Sequence, residues 1–421
     1  MFDAVPVHCL HASDIDAATT AAGNSSCQGS RIAVEFGWSS EEIAHRARIR
    51  DVLERVLPED WEAMSVHGPG SDVQTAYSRR FCEVLAQEDL LVPQWPRAFG
   101  GEDAPVWQQF ILGEEMWAAG EPRGPQYMNI NWIGPVLMRF GTPAQQDTYL
   151  PPIRAGNAIW CQGFSEPSAG SDLAALRTAA VPVEGGYRVS GAKVWTSYAG
   201  HADHCFLLAR VPRTEGGAEG KAGIVILLTD MRAPGIQVKQ IPALIGEGDI
   251  HEVFFDDVFV PDANRLGAEG QAWEIISYAL QNERVGIARY EFSRRMLDRG
   301  VARLKASGAW ADPCVQEKAG RALMLCEAAR LLVYRIVDGK ARNLPADDYG
   351  PIARWSVVLA DNGVNEFLTE CLPDGLLGED PVQLAHHQRA IAAGVASGAA
   401  EIQLNLIARR WLELPSERAR P

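Results

Sequence analysis

The sequence predicts an α+β fold of three successive units: an all-helical first unit, a middle antiparallel β-barrel-like domain, and a C-terminal four-helix bundle. Three observations predict it. Apolar residues recur at helical spacing from about residue 38. Near residue 158 the texture changes to short runs rich in Val, Ile and Phe, punctuated by Gly, Pro and Asp. At Gly270-Gln271-Ala272-Trp273 long helical segments return, and they continue to about residue 413. The corresponding boundaries are 33–157, 158–266 and 267–421, after an extension of residues 1–32 that is rich in Ala, Ser and Thr. That extension matches no motif and is expected to be disordered.

The elements follow in order. SSEEIAHRARIRDVLERVL opens with a Ser-x-x-Glu capping signal at Ser39 and continues at helical period. Further helices are expected at 72–89, 105–119, 125–140 and 143–156. GYRVSGAKVWTS, HADHCFLLARV, GIVILLTD, GIQVKQI and EVFFDDVFV then read as strands. They lie too close together for crossover helices, so antiparallel pairing is expected. No GxGxxG follows a strand, which leaves a dinucleotide-binding fold without support.

Composition narrows the function. A net charge of −15 argues against nucleic acid, which demands basic faces. No run of eighteen apolar residues exists, so membrane insertion is not expected. The eight cysteines form no CxxC pair, and the first thirty residues lack a basic segment followed by an apolar one. Free thiols and a cytoplasmic location are expected.

Two segments carry the chemistry. Residues 161–173 read CQGFSEPSAGSDL, and 191–200 read GAKVWTSYAG. The first sets hydroxyls and carboxylates among small residues that let backbone N–H groups approach a ligand. The second places the Trp195 indole before two hydroxyls, and an indole offers a flat face to an aromatic ring. That combination suits a flavin with a phosphate-bearing substrate beside it.

These segments resemble the flavin-contacting strands of the acyl-CoA dehydrogenases, whose signature is a Ser/Thr-Glu-Pro-x-x-Gly-Ser/Thr-Asp run. Other segments resemble the family in the same order: PQWPRAFGG (93–101), GPVLMRFGTPAQQDTYLPPIRAG (134–156), HEVFFDDVFVPDANRLGAEGQAW (251–273) and AEIQLNLIARRWLELP (400–415). The resemblance spans roughly residues 33–415 and implies FAD as cofactor, with an acyl-CoA as substrate. The implied reaction removes a proton from Cα of the thioester and passes a hydride from Cβ to flavin N5. By the same resemblance Gln162, Phe164, Ser165, Trp195 and Ser197 contact the flavin. Ser171 contacts the CoA portion, and Arg284 lies near the substrate. The plainer readings are a core aromatic for Trp195, a turn or helix cap for Ser171 and a structural salt bridge for Arg284.

The base needs separate treatment. Many family members carry a glutamate at the position of Ser397, whose hydroxyl cannot do this work. Its backbone N–H still suits the thioester oxygen. Others place the base before an arginine on the first long C-terminal helix, and that position is Glu283. Trp273, Ile276, Leu280 and Ile287 form an apolar stripe, and Glu283 falls on it. A carboxylate on a buried stripe must be paired or functional. A Glu–Arg pair at a domain interface is the structural reading, and Glu401 is a third candidate. No metal is expected: His201 and His204 read as a turn into a strand, and His386-His387 as a solvated helix start. Cys161, in an apolar strand, reads as an inert thiol.

Homotetrameric family members also reach across to a neighbour's flavin through an Arg-x-x-Phe-Gly segment and a Gln-x-x-Gly-Gly segment. Here the matching stretches begin at Arg303 and Leu372 and lack both motifs. The implication is a dimer or tetramer that can be heteromeric, as in the steroid- and bile-acid-type enzymes, with an electron-transfer flavoprotein or similar acceptor. The competing readings are a flavin monooxygenase on the same fold and a non-catalytic partner subunit. Acyl length and branching are not legible.

Overall fold

The computed structural model describes residues 37–211, 223–246, 248–284, 288–344, 349–395 and 398–415, with the backbone alone for 281–284. The extension expected at 1–32 and the Ser397 position lie outside the described residues, as does Ile287.

Helices come first: α1 (Ser40–Val56), α2 (Trp61–Met64), α3 (Asp72–Gln87), α4 (Val106–Ala118), α5 (Gln126–Met128), α6 (Gly134–Phe140) and α7 (Pro143–Arg154). Local chemistry sets several ends. The Ser71 hydroxyl accepts from Gln74 N to start α3. At α7, Thr142 and Gln145 form a reciprocal capping box, with Pro143 in the first turn. The helix expected at 125–140 is α5 and α6 joined by a π-turn over Asn129–Ile133. The wider turn rotates side chains out of α-helical phase, a distortion that often marks a functional region.

The middle domain is an eight-stranded sheet: β1 (Trp160–Gly163), β2 (Ala179–Val183), β3 (Gly186–Ser197), β4 (His204–Arg210), β5 (Ile224–Asp230), β6 (Ile236–Gln240), β7 (Ile250–Pro261) and β8 (Arg265–Leu266). The order is β6-β7-β3-β2-β4-β5-β8, with β1 alongside β4. Antiparallel pairing dominates, as hairpin-length connections require. Two pairings, β1 with β4 and β2 with β4, are parallel. The chain runs 40 residues between Gly163 and His204 and includes β2 and β3, which gives β1 room to return in the same direction. One face buries Val189, Leu207, Leu227, Val253 and Phe255.

Helices then resume: α8 (Ala272–Arg284), α9 (Tyr290–Ser307), α10 (Pro313–Ala341), α11 (Tyr349–Cys371), α12 (Pro381–Ile391) and α13 (Ala400–Arg410). Asp312 and Asp380 cap α10 and α12, each followed by proline in the first turn. The bundle core joins Leu297, Val333, Val357 and Phe367, and Phe110 of α4 enters the same cluster. The first helical unit and the last therefore share a core. Among the described residues no helix is long and apolar enough to cross a membrane.

The solvated helix start expected at His386-His387 is corrected. Helix α12 begins five residues earlier, and His386 is buried in its interior. Both of its ring nitrogens lack hydrogen-bond partners. Burial pushes its pKa down to about 4, so it is held neutral. The sequence offered no warning, because the groups that enclose it come from distant helices.

Candidate functional site

The two chemistry-bearing segments meet on β1 and β3. Val194 N donates to the Ser165 carbonyl at 2.9 Å. Lys193 Nζ donates to the Phe164 carbonyl at 3.1 Å and to Glu166 Oε1 at 2.8 Å. The Glu166 carboxylate also accepts Arg177 N at 2.6 Å and Thr178 N at 2.9 Å. One carboxylate thus closes the loop from 166 to 178. Burial disfavours its charge, but Lys193 and these donors outweigh burial and hold its pKa below the usual range. Burial also pulls the Lys193 ammonium down, restrained by Glu166. Sequence reasoning missed this pair. The available signal was a lysine set between Ala192 and Val194 in β3.

Gly163 permits β1 and β4 to close together. A Cβ there would lie 2.8 Å from Leu207 Cδ1 and 2.9 Å from Cys205 Sγ. Cys161, buried beside it, has its thiol pushed up by its hydrogen bond with Cys205 and by burial. That fits an unreactive thiol.

Past Lys193 the β3–β7 ladder slips. Lys193 pairs with Val253 and Thr196 with His251, so two residues of β3 oppose Glu252. This is a β-bulge, and Trp195 sits in it with φ of +58°. A left-handed conformation at a bulky residue costs on the order of 1 kcal/mol or more. Its effect is to turn the indole out: Trp195 is 63% exposed. The core-aromatic reading is thereby removed. Ser197 is half-buried two residues on, and the buried Thr196 hydroxyl between them has no partner. Gln162, Phe164 and Ser165 are half-buried, and Ser171 is exposed just before the short turn at Leu173–Ala175. An exposed indole, a half-open polar strand and an orphaned hydroxyl fit a flat aromatic ligand with polar edges.

Behind this surface, Trp132 of the π-turn packs edge-on against Phe164, ring centroids 6.2 Å apart, and against Phe206 at 5.5 Å. Asn129 ties the π-turn to the sheet: Trp160 N donates to its Oδ1 at 3.1 Å, and its Nδ2 donates to the Ala158 carbonyl at 2.7 Å. On its other flank the π-turn meets α8. The buried face of α8 is Ala272, Ile275, Ile276 and Ala279, with Trp273 and Leu280 half-buried beside it. The apolar stripe is therefore rotated slightly from the one expected. Residue 283 follows Ala279 by four and Ile276 by seven, and helical period assigns it to that face. The side chains of Glu283 and Arg284 lie outside the described residues. Glu401 is exposed in the first turn of α13.

Two of the histidines weighed as metal ligands in the sequence contact other parts of the chain. His201 Nε2 lies 2.9 Å from the Gly70 carbonyl, and the His204 ring packs on Trp160 and Tyr149. Arg303 is also engaged within its own chain, donating to Asp380 Oδ2 at 2.7 Å and Gln383 Oε1 at 2.9 Å.

Comparison with known proteins identifies the family. The chain matches the N-terminal domain of acyl-CoA dehydrogenase over residues 39–157, the middle domain over 161–258 and the C-terminal domain over 270–412. It is 32% identical, over 88% of its length, to the acyl-CoA dehydrogenase IpdE1 of Mycobacterium tuberculosis, and spans 97% of that protein. It is 34% identical, over 79% of its length, to the acyl-CoA dehydrogenase FadE34 of the same organism, and spans 45% of that longer protein. Its fold superposes on the ChsE4-ChsE5 complex from Mycobacterium tuberculosis with a TM-score of 0.80 at 25% identity, covering 91% of this chain and 99% of that one. With three domain models matched in order and a relative matched over nearly its whole length, the chain belongs to the acyl-CoA dehydrogenase family of FAD-dependent oxidoreductases.

Proposed function

We propose that this enzyme desaturates an acyl-CoA thioester between Cα and Cβ, with Glu283 as the base that takes the α-proton. The observation that carries the reading is the bulge at Trp195, which turns an indole outward beside the Ser165 loop. Trp195, Ser197, Gln162, Phe164 and Ser165 would hold FAD. When bound, the flavin supplies the acceptor for the hydride lost from Cβ. The rest of the chemistry falls to the chain. Ser171 faces the CoA arm, and the Ser397 N–H holds the thioester oxygen as negative charge develops there. Arg284 holds the substrate beside Glu283. The domain limits 33–157, 158–266 and 267–421 belong to this reading.

The assembly belongs to it too. Arg303 is engaged by Asp380 and Gln383 of its own chain, which supports a flavin site completed from elsewhere. Leu404, Leu412 and Leu414 at the C-terminal end are exposed. A second, complementary dehydrogenase subunit would supply the missing half-site, and an electron-transfer flavoprotein would accept the electrons. The test is anaerobic: a panel of CoA thioesters is added to the flavin-loaded chain, with and without a co-expressed neighbouring subunit, and flavin bleaching is followed. Bleaching by at least one thioester is expected. Oxygen consumption by the reduced enzyme with hydroxylated product, in place of an enoyl-CoA, would transfer the site to monooxygenase chemistry.

A further inference from the structure

The flavin-facing end of β3 is bracketed by two left-handed residues. Trp195 has φ of +58° and Tyr198 φ of +60°, with Thr196 and Ser197 between them. Such backbone at bulky side chains persists only where the surroundings hold it. The ladder holds one side: Thr196 pairs with His251 and Ser197 with Ile250 of β7. Asp249 immediately precedes β7, and its carbonyl accepts Tyr198 N at 2.9 Å.

The side chain of the same residue reaches the first helical unit. Asp249 Oδ1 accepts Gly70 N at 2.5 Å. The Gly70 carbonyl lies 2.9 Å from His201 Nε2. Both polar groups of Gly70 are therefore engaged by the middle domain. His201 belongs to the turn that follows the flavin-facing stretch, and its N donates to the Tyr198 carbonyl at 3.0 Å. Arg79 of α3 braces that turn, donating to the His201 carbonyl at 3.3 Å and to Asp203 Oδ2 at 3.1 Å.

The approach needs glycine on both sides. A Cβ on Gly70 would lie 2.3 Å from the Gly248 carbonyl oxygen, and one on Gly248 would lie 2.2 Å from the Gly70 carbonyl oxygen. The Gly70 loop is a firm anchor. Ser71 Oγ donates to the Gly68 carbonyl at 2.8 Å, and Thr75 Oγ1 to the Pro69 carbonyl at 3.1 Å. Asp249 itself is 5% exposed. Burial pushes its pKa up to about 6, opposed by the Gly70 N–H and by the charge of Arg389 on α12. A buried carboxylate is costly unless its oxygens find donors, and Gly70 supplies one.

Resting on the flavin surface proposed above, we propose that Asp249 is a positioning residue for FAD. Its carbonyl binds Tyr198 N and its carboxylate binds Gly70 N, which fixes the strained Trp195–Ser197 stretch against the first helical unit. FAD binding and docking of the Gly70 loop are then coupled, each favouring the other.

The test titrates the full-length apoprotein with FAD by fluorescence, with the folding of each variant checked by circular dichroism. Asp249→Ala removes the acceptor, Asp249→Asn keeps an oxygen for Gly70 N, and Gly70→Ala drives the two loops apart. Asp249→Ala and Gly70→Ala are expected to weaken FAD binding roughly tenfold, and Asp249→Asn to stay within about threefold of wild type. Tyr290→Phe removes a 2.6 Å hydrogen bond to Glu114 that ties α9 to α4, and should lower stability without changing FAD affinity. Unchanged affinity in folded Asp249→Ala and Gly70→Ala overturns the proposal. So does a loss in Asp249→Asn equal to that in Asp249→Ala, which would make charge the feature that matters. An equal loss in Tyr290→Phe also overturns it, because the effect would then be one of general stability.

Hydrogen exchange on the wild-type chain decides the matter if the variants do not fold. FAD should slow the Gly70 and Tyr198 amides by a larger factor than those of α10, and equal factors overturn the coupling. Trp195→Gly separates the two readings. If it binds FAD as tightly as wild type, the flavin surface and the positioning role fall together. If it binds more weakly while Asp249→Ala is unchanged, the positioning role alone falls. FAD binding that follows the expected pattern, with no bleaching by any thioester, sinks the dehydrogenase reading and leaves Asp249 in its role.

Discussion

The Lys193 ammonium lies 2.8 Å from Glu166 Oε1, and both side chains are buried. The contact joins β3, which carries Trp195, to the loop that carries Ser171. Breaking such a pair from one side leaves an uncompensated buried charge. Lys193→Met is therefore expected to destabilise the protein by about 3–5 kcal/mol and to lower flavin content. The double variant Glu166→Gln, Lys193→Met should recover part of that loss. Chemical denaturation and the flavin-to-protein absorbance ratio check both.

Trp195 behaves oppositely. It is mostly exposed and its φ is positive, so little packing is lost when it is removed. Trp195→Gly should leave stability within about 1 kcal/mol of wild type, because glycine relieves the backbone strain. Flavin affinity should fall roughly tenfold, the worth of about one aromatic contact. Fluorescence titration of the apoprotein with FAD measures it. A large stability loss with unchanged affinity would return Trp195 to a structural role.

Glu283→Gln keeps the shape of the side chain and removes its basicity. The rate of anaerobic bleaching by an accepted thioester should fall by roughly 10²- to 10⁴-fold, with flavin content unchanged. Stopped-flow absorbance is the measurement. An unchanged rate would exclude Glu283 as the base.

His386 gives a pH prediction. Its folded pKa, pushed down to about 4, lies below the ordinary value of 6.5. Between those values the unfolded chain binds the extra proton, so stability falls as pH is lowered through that window. The loss approaches about 3 kcal/mol near pH 4. Asp249, raised to about 6 by burial, contributes the opposite slope. The diagnostic quantity is therefore the difference between wild type and His386→Leu, in which Asp249 cancels. Urea unfolding from pH 7.5 to 4.5 should show the variant gaining on wild type as the solution is acidified.

Local periodicity made most of the fold legible. Helical spacing with the Ser39 capping signal announced the first helix, because capping is settled within a few residues, whereas the start of α12 at Asp380-Pro381 was missed. The parallel placement of β1 beside β4 was not legible, since strands rich in the same residue types do not encode which neighbour they choose. The π-turn at Asn129–Ile133 was hidden for a related reason: one extra residue in a turn leaves the average helical period almost intact.

The sequence by itself carried the residues on which the proposed chemistry rests: a signature loop around Glu166, an indole before two hydroxyls at Trp195, and a glutamate at helical phase on α8. These depend on residue type and short spacing, which a linear chain carries directly. Only the tertiary structure decided that Lys193 neutralises the signature carboxylate, that a bulge turns Trp195 outward, and that His386 is sealed among distant helices. Burial and charge pairing are properties of groups brought together from far apart in the chain, and their free energies exist only after the chain has closed around them.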